Sequence, residues 1–327
     1  MTDYNALRKK LKGRVIILCH HNADPDSLCS AYAVKELVAR LDSSSTGEIF
    51  APGGLSSLTK KIMEELKIEV NHESTIDDYQ TIVMVDTATL EQLEEWGDIV
   101  ASTNIPKVLI DHHSPHSKTI SLASIYIVNE EATSTCEIVY HLYEKYGFEP
   151  SETVAKALLL GIAYDSKHFS IGTPESYRTI SDLLKIGGPV EEITNILSVK
   201  KDRSEIIARL KGAKRVQLHF RGEWVLATSM LSSHHASVAR GLIYLGANVA
   251  IVAGNDNNKL RASLRATNNF TRETSIHLGQ NVATILGEEF EGAGSGHSTA
   301  AGVNGEGDPE TLLKRSIELI TQKLALA

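Results

Sequence analysis

Acidic and histidine side chains follow three short apolar segments in the first half of the sequence. They are His20, Asp24 and Asp26 after RVIILC, Asp86 after TIVMV, and Asp111, His112 and His113 after VLI. A single Asp at such a place is more often a turn residue or a helix N-cap than a ligand. Three such places favour a shared site, because the carboxyl ends of parallel strands meet at one edge of an open sheet.

A further carboxylate, Asp165, follows the apolar run ALLLGIAY, which is typical of a buried helix. A carboxylate that emerges from a buried segment needs a partner, although Asp165 taken alone also fits a C-terminal turn residue. With this residue included, the candidate metal ligands are His20, Asp24, Asp26, Asp86, His112 and Asp165.

These candidate ligands offer carboxylate oxygens and imidazole nitrogens but no thiolate. Such a mixture suits a hard divalent ion such as Mn²⁺ better than structural zinc, although affinity order alone does not select manganese. Four carboxylates around one divalent ion would leave excess negative charge. We therefore predict two ions per chain, about 3.5–4 Å apart as in other two-metal hydrolases. Asp86, which follows the central strand of the three, is the expected bridging ligand.

Short apolar runs alternate with helix-like segments in the first half, and this alternation predicts a parallel α/β sheet. The predicted strands are residues 14–19, 48–51, 81–85, 108–110 and 125–128. The predicted helices are 27–41, 57–66, one ending at 146, one over 152–164, and one that follows Pro174 and ends near 184. Such a sheet would bring the three strand ends together.

The second half predicts a smaller α/β domain, because a length of 327 residues favours two hydrophobic cores. Its predicted elements are strands 216–220, 224–229, 249–253 and 260–266, and helices 237–245, 273–286 and 309–324. The last two helices flank the glycine-rich segment EGAGSGHSTAAG. We expect domains at 1–188 and 214–327, joined by a charged helical connector over 189–213.

Composition narrows the partners that the chain would bind. Its 33 basic and 41 acidic residues give a net charge of −8, which disfavours tight binding of long duplex nucleic acid. Three cysteines without CxxC spacing indicate neither a disulfide framework nor a zinc site, and so favour a reducing cytoplasm. No apolar stretch reaches the roughly 20 residues that span a bilayer, and the amino terminus lacks the apolar core of a signal peptide. We expect no membrane association.

The ordered motifs resemble those of the DHH phosphoesterases. They are His20-x3-Asp24-Pro25-Asp26, then Asp86, then Asp111-His112-His113, then Asp165. In the second half, Arg265 within RASLRA and the segment Gly294-Ser295-Gly296-His297, followed by Ala300-Ala301-Gly302, are similar to the substrate-binding motifs of the DHHA1 domain. The resemblance implies a parallel-sheet DHH domain joined by a helical connector to a smaller α/β DHHA1 domain.

The resemblance also implies a role for each residue. His20 and Asp24 would hold one ion, Asp26, His112 and Asp165 would hold the other, and Asp86 would contact both. Asp111 would orient its neighbours, and His113 would face the substrate phosphate as a catalytic group. Arg265, Gly294, Ser295, Gly296 and His297 would hold a non-reacting phosphate from across a cleft between the domains.

Two pairs of cationic or histidine residues fall outside this pattern. Lys167 and His168 follow Asp165 where smaller residues are more typical of the family, and either they reach the cleft as additional cations or they lie on the surface. His234 and His235 have no carboxylate beside them in the sequence, and we interpret them as solvent-facing.

These observations predict a Mn²⁺-dependent phosphodiesterase for short oligonucleotides or dinucleotides, with Mg²⁺ or Co²⁺ as substitutes. A 3′-phosphonucleotide phosphatase activity on mononucleotides is a companion, and a homodimer is compatible with the sequence. One alternative is a single-strand exonuclease similar to RecJ, which would need a basic groove with stacking aromatics. The other is a nucleotide-binding protein without catalysis. Inorganic pyrophosphatases share the DHH half but not the motifs of the second half.

Overall fold

A computed structural model describes residues 3–71, 73, 75–114, 116–198, 202–256 and 259–325. The chain forms two compact units, Met1–Val199 and Lys200–Ala327. Each unit contains one β-sheet with its own apolar core. The predicted fold class, a parallel-sheet α/β domain followed by a second α/β domain, is confirmed.

The first unit is built on a five-stranded parallel sheet with the strand order β2-β1-β3-β4-β5. Its strands are β1 (Arg14–Leu18), β2 (Thr46–Phe50), β3 (Thr81–Val85), β4 (Lys107–Asp111) and β5 (Ile125–Val128). Every residue of β3 and β4 is buried, which explains why both strands appear in the sequence as continuous apolar runs.

Helices cover both faces of this sheet. They are α1 (Tyr4–Lys10), α2 (Pro25–Leu41), α3 (Ser57–Leu66), α4 (Glu95–Ser102), α5 (Ser117–Leu122), α6 (Thr135–Tyr146), α7 (Glu152–Asp165), α8 (Pro174–Gly187) and α9 (Val190–Leu197). Successive β1 residues point to opposite faces, so Val15 and Ile17 join the core beneath α2, α6 and α7. Ile16 and Leu18 join a smaller core with residues of α4 on the other face.

Three short helices of the first unit lack the long apolar periodicity that predicts a helix. They are α1, α4 and α5, of seven, eight and six residues. The α1 helix begins where the Asp3 side chain accepts hydrogen bonds from the backbone N–H groups of Asn5 and Ala6. Helices of this length depend on their caps and their packing, and a periodicity argument misses them.

The second unit contains a six-stranded sheet with the order β10-β11-β9-β8-β7-β6, in which β7 and β8 are parallel and the other pairs antiparallel. Its strands are β6 (Gln217–Arg221), β7 (Trp224–Met230), β8 (Val249–Asp256), β9 (Lys259–Ala266), β10 (Ala293–Gly296) and β11 (Ala300–Gly305). Its α-helices are α10 (Arg203–Lys214), α11 (His235–Tyr244), α12 (Asn268–Thr274), α13 (Thr284–Glu289) and α14 (Pro309–Leu324).

The prediction of one helix over 273–286 is wrong. The α12 helix ends at Thr274, Ser275 follows in the left-handed region with φ of 55°, and a π-helix occupies Leu278–Ala283 before α13. The backbone turns at Ser275 because the next segment packs directly against β10. A Cβ atom at Gly279 would lie 2.2 Å from the Gly296 carbonyl oxygen, so glycine permits this approach.

The segment predicted as a separate helical connector consists of α9 and α10, and its residues 199–201 lie outside the described residues. The α9 helix packs against α7 and α3 of the first unit, whereas α10 packs against α11 and β7 of the second. The predicted strands and helices otherwise fall within a few residues of those observed. Among the described residues, no helix has the length and apolar character needed to cross a membrane.

Candidate active site

The turn after β1 places three of the candidate ligands. His20 directs its Nε2 atom towards Asp24 Oδ1 at 3.7 Å and Asp86 Oδ2 at 3.6 Å. Asp24 is the N-cap of α2, and its Oδ1 atom accepts a hydrogen bond from the Ser27 backbone N–H at 3.1 Å. The capping role is therefore real, and the same carboxylate also faces His20.

Asp26 is fully buried within the first turn of α2. Its Oδ2 atom accepts a hydrogen bond from the Thr135 N–H at 2.6 Å, and its Oδ1 atom accepts one from the Cys136 N–H at 3.0 Å. Both amides belong to the first turn of α6, where free backbone N–H groups favour an anion. The amino terminus of α6 thus holds this buried carboxylate in place.

Asp86 follows β3 directly and lies at the centre of the cluster. Its backbone has a φ of 54°, a strained conformation for a residue other than glycine. The side chain is 2% exposed, and Asp86 Oδ1 accepts a hydrogen bond from Thr135 Oγ1 at 3.2 Å. Nitrogen atoms of His20, His112 and His113 lie 3.6, 3.6 and 3.4 Å from its carboxylate oxygens.

The end of β4 supplies the Asp-His-His segment. The carboxylate of the fully buried Asp111 accepts two hydrogen bonds from His113, at 2.9 Å from its backbone N–H and 3.0 Å from Nδ1. His112 directs its Nε2 atom towards Asp86 at 3.6 Å and Asp165 at 3.4 Å. This places His112 inside the cluster, whereas the His113 side chain is 54% exposed at its rim.

Asp165 is the last residue of α7 and completes the cluster from the helical side. Gly161 of the same helix lies against α2, where a Cβ atom would come within 2.9 Å of Asp26 Oδ1 and 2.3 Å of Cys136 Sγ. The absence of a side chain at Gly161 therefore allows α7 to approach the site. This close approach brings Asp165 to His112.

The six candidate ligands fall into two groups of three, which adjoin where His112 Nε2 lies 3.6 Å from Asp86 Oδ1. One group consists of His20, Asp24 and Asp86, and the other consists of Asp26, His112 and Asp165. Within each group, one potential ligand atom of each residue lies within 4.8 Å of those of the other two. A third group of the same compactness consists of Asp86, His112 and His113. Asp86 and His112 therefore adjoin more than one potential cation position, and His113 has the geometry of a ligand as well as of a catalytic group.

The buried polar atoms of the cluster fit a cation. Among the described residues, His112 Nε2 and Asp111 Oδ2 are buried and make no hydrogen bond. A buried nitrogen that makes no hydrogen bond carries a desolvation cost, which coordination to a cation would remove. The donors are carboxylate oxygens and imidazole nitrogens, the mixture that binds divalent ions of the Mg²⁺ and Mn²⁺ type.

Neighbouring carboxylates raise the pKa values of three histidines in the cluster, His20, His112 and His113. Burial lowers the pKa of His20, but its contacts with Asp24 and Asp86 outweigh burial and raise the pKa to about 10. The contact with Asp111, followed by that with Asp86, raises the pKa of His113 to about 10. Without a bound cation, these imidazoles hold protons that offset the negative charge of the cluster.

The carboxylates themselves respond in opposite directions. Burial raises the pKa of Asp86, but His113 and His20 outweigh burial and hold the pKa below its ordinary value. Burial raises the pKa of Asp26 well above its usual range, and the charges of Asp86 and Asp165 add to this effect. A carboxylate that is buried among others needs positive charge nearby to remain ionised. A divalent cation would provide that charge.

The second unit positions the remaining candidate residues. Arg265 is half-buried on β9, and its Nη1 atom donates a hydrogen bond to the Leu264 carbonyl oxygen at 2.8 Å. Gly294, Ser295 and Gly296 form most of β10, an edge strand paired with β11, and His297 is exposed at the hairpin. The glycine segment is therefore part of the sheet, and its glycines allow β10 to pack closely on neighbouring backbone.

The pair Lys167 and His168 and the pair His234 and His235 differ in their exposure to solvent. Lys167 and His168 are exposed, in a turn after Asp165 where Lys167, His168 and Phe169 have φ angles of 51°, 59° and 63°. The interpretation of His234 and His235 as solvent-facing is wrong, because both are half-buried. His235 Nε2 lies 2.8 Å from the Leu231 carbonyl oxygen, and His234 Nε2 lies 2.9 Å from Ser204 Oγ.

Sequence reasoning missed the residues that support the ligands. The Thr135 and Cys136 amides, the Thr135 hydroxyl and Gly161 all act on Asp26 or Asp86 from distant parts of the chain. The Ser134-Thr-Cys-Glu137 sequence does signal a helix start, and the Ser134 side chain caps α6. It carries no signal that the same turn faces Asp26.

The comparisons with known proteins identify the family of the chain. A model of the DHH family, N-terminal domain, matches residues 14–162. An uncharacterised protein of Methanocaldococcus jannaschii is 34% identical over 298 residues, which cover 90% of this chain and 87% of that protein. The bifunctional oligoribonuclease and PAP phosphatase NrnA of Thermus thermophilus is 26% identical over 331 residues, covering 98% of this chain and 93% of that protein.

A solved structure shows the same fold along the whole chain. The exopolyphosphatase-related protein from Bacteroides fragilis superposes with a TM-score of 0.62 at 20% identity, covering 99% of this chain and 96% of that one. The chain belongs to the DHH family of phosphoesterases, in its DHH/DHHA1 form.

Proposed function

We propose that this protein is a Mn²⁺-dependent phosphodiesterase that hydrolyses dinucleotides and short oligonucleotides with two ions per chain. The observation that carries the proposal is a pair of adjoining three-residue ligand groups: Asp86 of one group lies 3.6 Å from His112 Nε2 of the other. His20 and Asp24 would hold one ion, Asp26, His112 and Asp165 would hold the other, and Asp86 would contribute to both. When bound, the ions supply Lewis-acid activation of water and neutralise charge on the reacting phosphate.

The protein's own residues position the substrate and stabilise charge. His113 Nδ1 is fixed by Asp111 at 3.0 Å, so Nε2, on the opposite side of the ring, is the atom that would reach a substrate oxygen. The contact with Asp111 raises the pKa of His113 and so favours its protonated form, which would donate to the phosphate or to the leaving oxygen. Asp111 is then a positioning residue that holds the ring of His113.

The substrate class follows from charge and from the second unit. A chain with a net charge of −8 offers little electrostatic attraction to a long polyanion. We assign Arg265, His297 and the β10 segment Gly294 to Gly296 to a second, non-reacting phosphate of the substrate. The Thermus relative is named as an oligoribonuclease and PAP phosphatase, and this supports short substrates with 3′-phosphonucleotide phosphatase as a companion activity.

An assay with four substrates tests the proposal. Purified protein with Mn²⁺ is offered pApA, a five-nucleotide RNA, a thirty-nucleotide single-stranded DNA and pyrophosphate, and kcat/KM is measured for each. We expect the two short RNAs to be hydrolysed at least tenfold more efficiently than the other substrates. Equal efficiency on the long DNA would favour a RecJ-like exonuclease, and preference for pyrophosphate would make the protein a pyrophosphatase.

A further inference from the structure

The second unit contains a pocket of about 430 Å³, where the first turns of α14 lie over the strands β6 and β7. The side chains that matter for its chemistry are Arg215, Gln217, His219, Met230, Leu313 and Lys314. None of the proposed ion ligands lines this pocket, and none of the residues assigned above to the second phosphate does. The pocket therefore needs its own explanation.

This pocket is on the face of the sheet that points away from Arg265. His219 of β6 pairs with Leu226 of β7, and paired residues of neighbouring strands point to the same face. Leu226 belongs to the apolar core beneath α14, as does Leu264 of β9. Successive residues of a strand alternate between faces, so Arg265 lies on the opposite face. The pocket is thus separate from the proposed contact of Arg265 with the substrate.

The floor of the pocket is formed by polar side chains of β6. His219 Nε2 lies 3.0 Å from the hydroxyl oxygen of the buried Thr228. Burial, followed by the charge of Arg221, lowers the pKa of His219, so its neutral ring is favoured at neutral pH. Within the part of the chain that the structure describes, the His219 Nδ1 atom and the Gln217 side-chain amide make no hydrogen bond. The floor therefore offers uncharged hydrogen-bonding groups to a ligand.

The charges around the pocket leave a surplus of one cation. Lys314 Nζ lies 3.0 Å from the carboxylate of Glu310, one turn earlier on α14, so these two charges offset each other. Arg215 donates a hydrogen bond from Nη1 to the Met230 carbonyl oxygen at 3.3 Å. Among the described residues, Arg215 forms no ion pair with a carboxylate. Its remaining N–H groups suit a carboxylate ligand, which a guanidinium binds with paired hydrogen bonds.

Apolar side chains line the pocket from both the sheet and the helix. Met230, the last residue of β7, is 46% exposed, although it is a large apolar residue. Leu313 of α14 is buried and lines the same pocket. A thioether makes favourable contacts with aromatic rings. These two side chains therefore suit the flat faces of a ring better than they suit a compact, strongly hydrated ion.

We propose that this pocket binds an aromatic carboxylate, with the carboxylate on Arg215, the ring between Met230 and Leu313, and hydrogen bonds from the polar groups of β6. The volume agrees with the roughly 300–1,000 Å³ of small-molecule pockets. A doubly charged phosphate ester suits the pocket less well. Among the described residues of the lining, Arg215 is the one Arg or Lys without an ion pair, and Glu310 would repel a second negative charge. Binding requires neither the ions nor the reaction proposed above.

Isothermal titration of the full-length protein in EDTA tests the pocket without metal or substrate. The probes are cinnamate, which is a flat aromatic carboxylate, the uncharged cinnamyl alcohol, and inorganic phosphate. We expect cinnamate to bind at least tenfold more tightly than the alcohol, because only the carboxylate accepts charged hydrogen bonds from a guanidinium. Phosphate at the same concentration should not displace cinnamate. The proposal fails if cinnamate does not bind, if the alcohol binds as tightly, or if phosphate displaces cinnamate.

A matched pair of arginine variants locates the binding. Arg215→Gln should weaken cinnamate binding on the order of tenfold or more, since it removes a charged hydrogen bond. Arg272→Gln, at an exposed position on α12 of the same unit, should leave cinnamate binding unchanged. Equal affinities of the two variants would overturn the assignment.

Variants of Met230 guard against misfolding of the first variant. Met230→Ala shortens a partly exposed side chain and keeps the backbone carbonyl oxygen that Arg215 contacts. We expect Met230→Ala to weaken cinnamate binding while keeping a thermal unfolding midpoint near that of the wild type, and Met230→Leu to retain most of the affinity. Unaltered affinity in Met230→Ala would contradict the placement of the ring. If cinnamate binds through Arg215 but no dinucleotide is hydrolysed with Mn²⁺, the proposed function fails while the pocket stands.

Discussion

Asp86 is the proposed bridging ligand, and its backbone conformation allows a conservative test of that role. Asn tolerates the left-handed region better than most residues do, so Asp86→Asn should preserve the fold while removing the negative charge at the proposed bridging position. We expect metal analysis after saturation with Mn²⁺ to give two ions per chain in the wild type. The Asp86→Asn variant should hold fewer than one.

The control for this prediction is Asp98→Asn, at an exposed position on α4 away from the cluster. This variant should retain both ions. A wild-type protein that holds no more than one ion at saturating Mn²⁺ would contradict the binuclear site, and loss of a single ion in Asp86→Asn would contradict the bridging role.

Substitution of His112 should reduce the metal content, whereas substitution of the neighbouring His113 should reduce kcat. His112→Ala removes a side chain inside the cluster and should empty at least one metal position. His113→Ala should keep the metal content and lower kcat by about 10²–10⁴-fold, as expected for a group that assists proton transfer or charge stabilisation. The two measurements are metal analysis and steady-state kinetics on pApA. If His113→Ala loses metal instead, the roles are assigned the wrong way round.

The candidate ligands could be proposed from the sequence because each follows an element with a strong apolar signal. His20, Asp86 and His112 follow strands, and parallel strands bring their carboxyl ends to one edge without any knowledge of loop structure. The support from Thr135 and Cys136 could not be foreseen, since it depends on how α6 docks against α2. Half-burial of His234 depends likewise on the position of Ser204 on α10.

At the scale of single elements, the contact between β10 and the π-helix depends on glycine. Gly294→Ala places a methyl group 1.7 Å from the Ala283 carbonyl oxygen, and the strand must shift to accommodate it. We expect Gly294→Ala to lower the Tm by several degrees or more, as overpacking costs about 1–3 kcal/mol. Gly302→Ala, in the neighbouring strand, should change the Tm little. Equal Tm values for the two variants would show that β10 is not held by this contact.

In the turn after α7, a glycine variant should be more stable than the corresponding alanine variant. Lys167 has a φ of 51°, a conformation that costs a residue with a Cβ atom roughly 1–2 kcal/mol more than glycine. Lys167→Gly should therefore be more stable to urea than Lys167→Ala. At Lys185, within α8, the order should reverse, because glycine destabilises a helix by about 0.5–1 kcal/mol relative to alanine. The same order at both positions would contradict strain at Lys167.

Sequence patterns predicted the strands and helices with clear apolar periodicity better than the glycine-rich strands β10 and β11. The strands over 81–85 and 125–128 and the helices over 57–66 and 309–324 were predicted with the observed bounds. The β10 and β11 strands carry glycine and alanine in place of the β-branched residues that signal a strand. Their pairing is set by close backbone packing, for which a single sequence offers no periodic pattern.

For the whole molecule, we propose that the first unit hydrolyses the ester and the second unit holds a neighbouring phosphate. This proposal predicts which substrates lose most kcat/KM when the second unit is altered. Arg265→Ala would remove the proposed contact to a second phosphate, which pApA offers and bis-p-nitrophenyl phosphate does not. We expect kcat/KM for pApA to fall at least tenfold more than kcat/KM for the synthetic ester. A variant that loses the same factor on both compounds would show that Arg265 supports the reaction in general and does not measure substrate length.

Ionic strength provides an independent check at the same scale. A nucleic-acid-binding surface that neutralises many phosphates shows a steep loss of affinity with salt. With a net charge of −8 and a proposed contact to one or two phosphates, this protein should show a shallow dependence of KM on salt for the five-nucleotide RNA. A slope corresponding to six or more phosphate contacts would indicate an extended polyanion groove.

The order of the strands in the first sheet has a consequence for the time course of folding. The ligand groups draw on residues from His20 to Asp165, and they meet only after β1, β3 and β4 have paired and α7 has docked. Such long-range pairings form late and slowly. Ions that bind only the completed cluster would stabilise the native state without stabilising the folding transition state. Mn²⁺ would therefore leave the refolding rate nearly unchanged and slow unfolding. The metal would thus increase the kinetic stability of the folded domain.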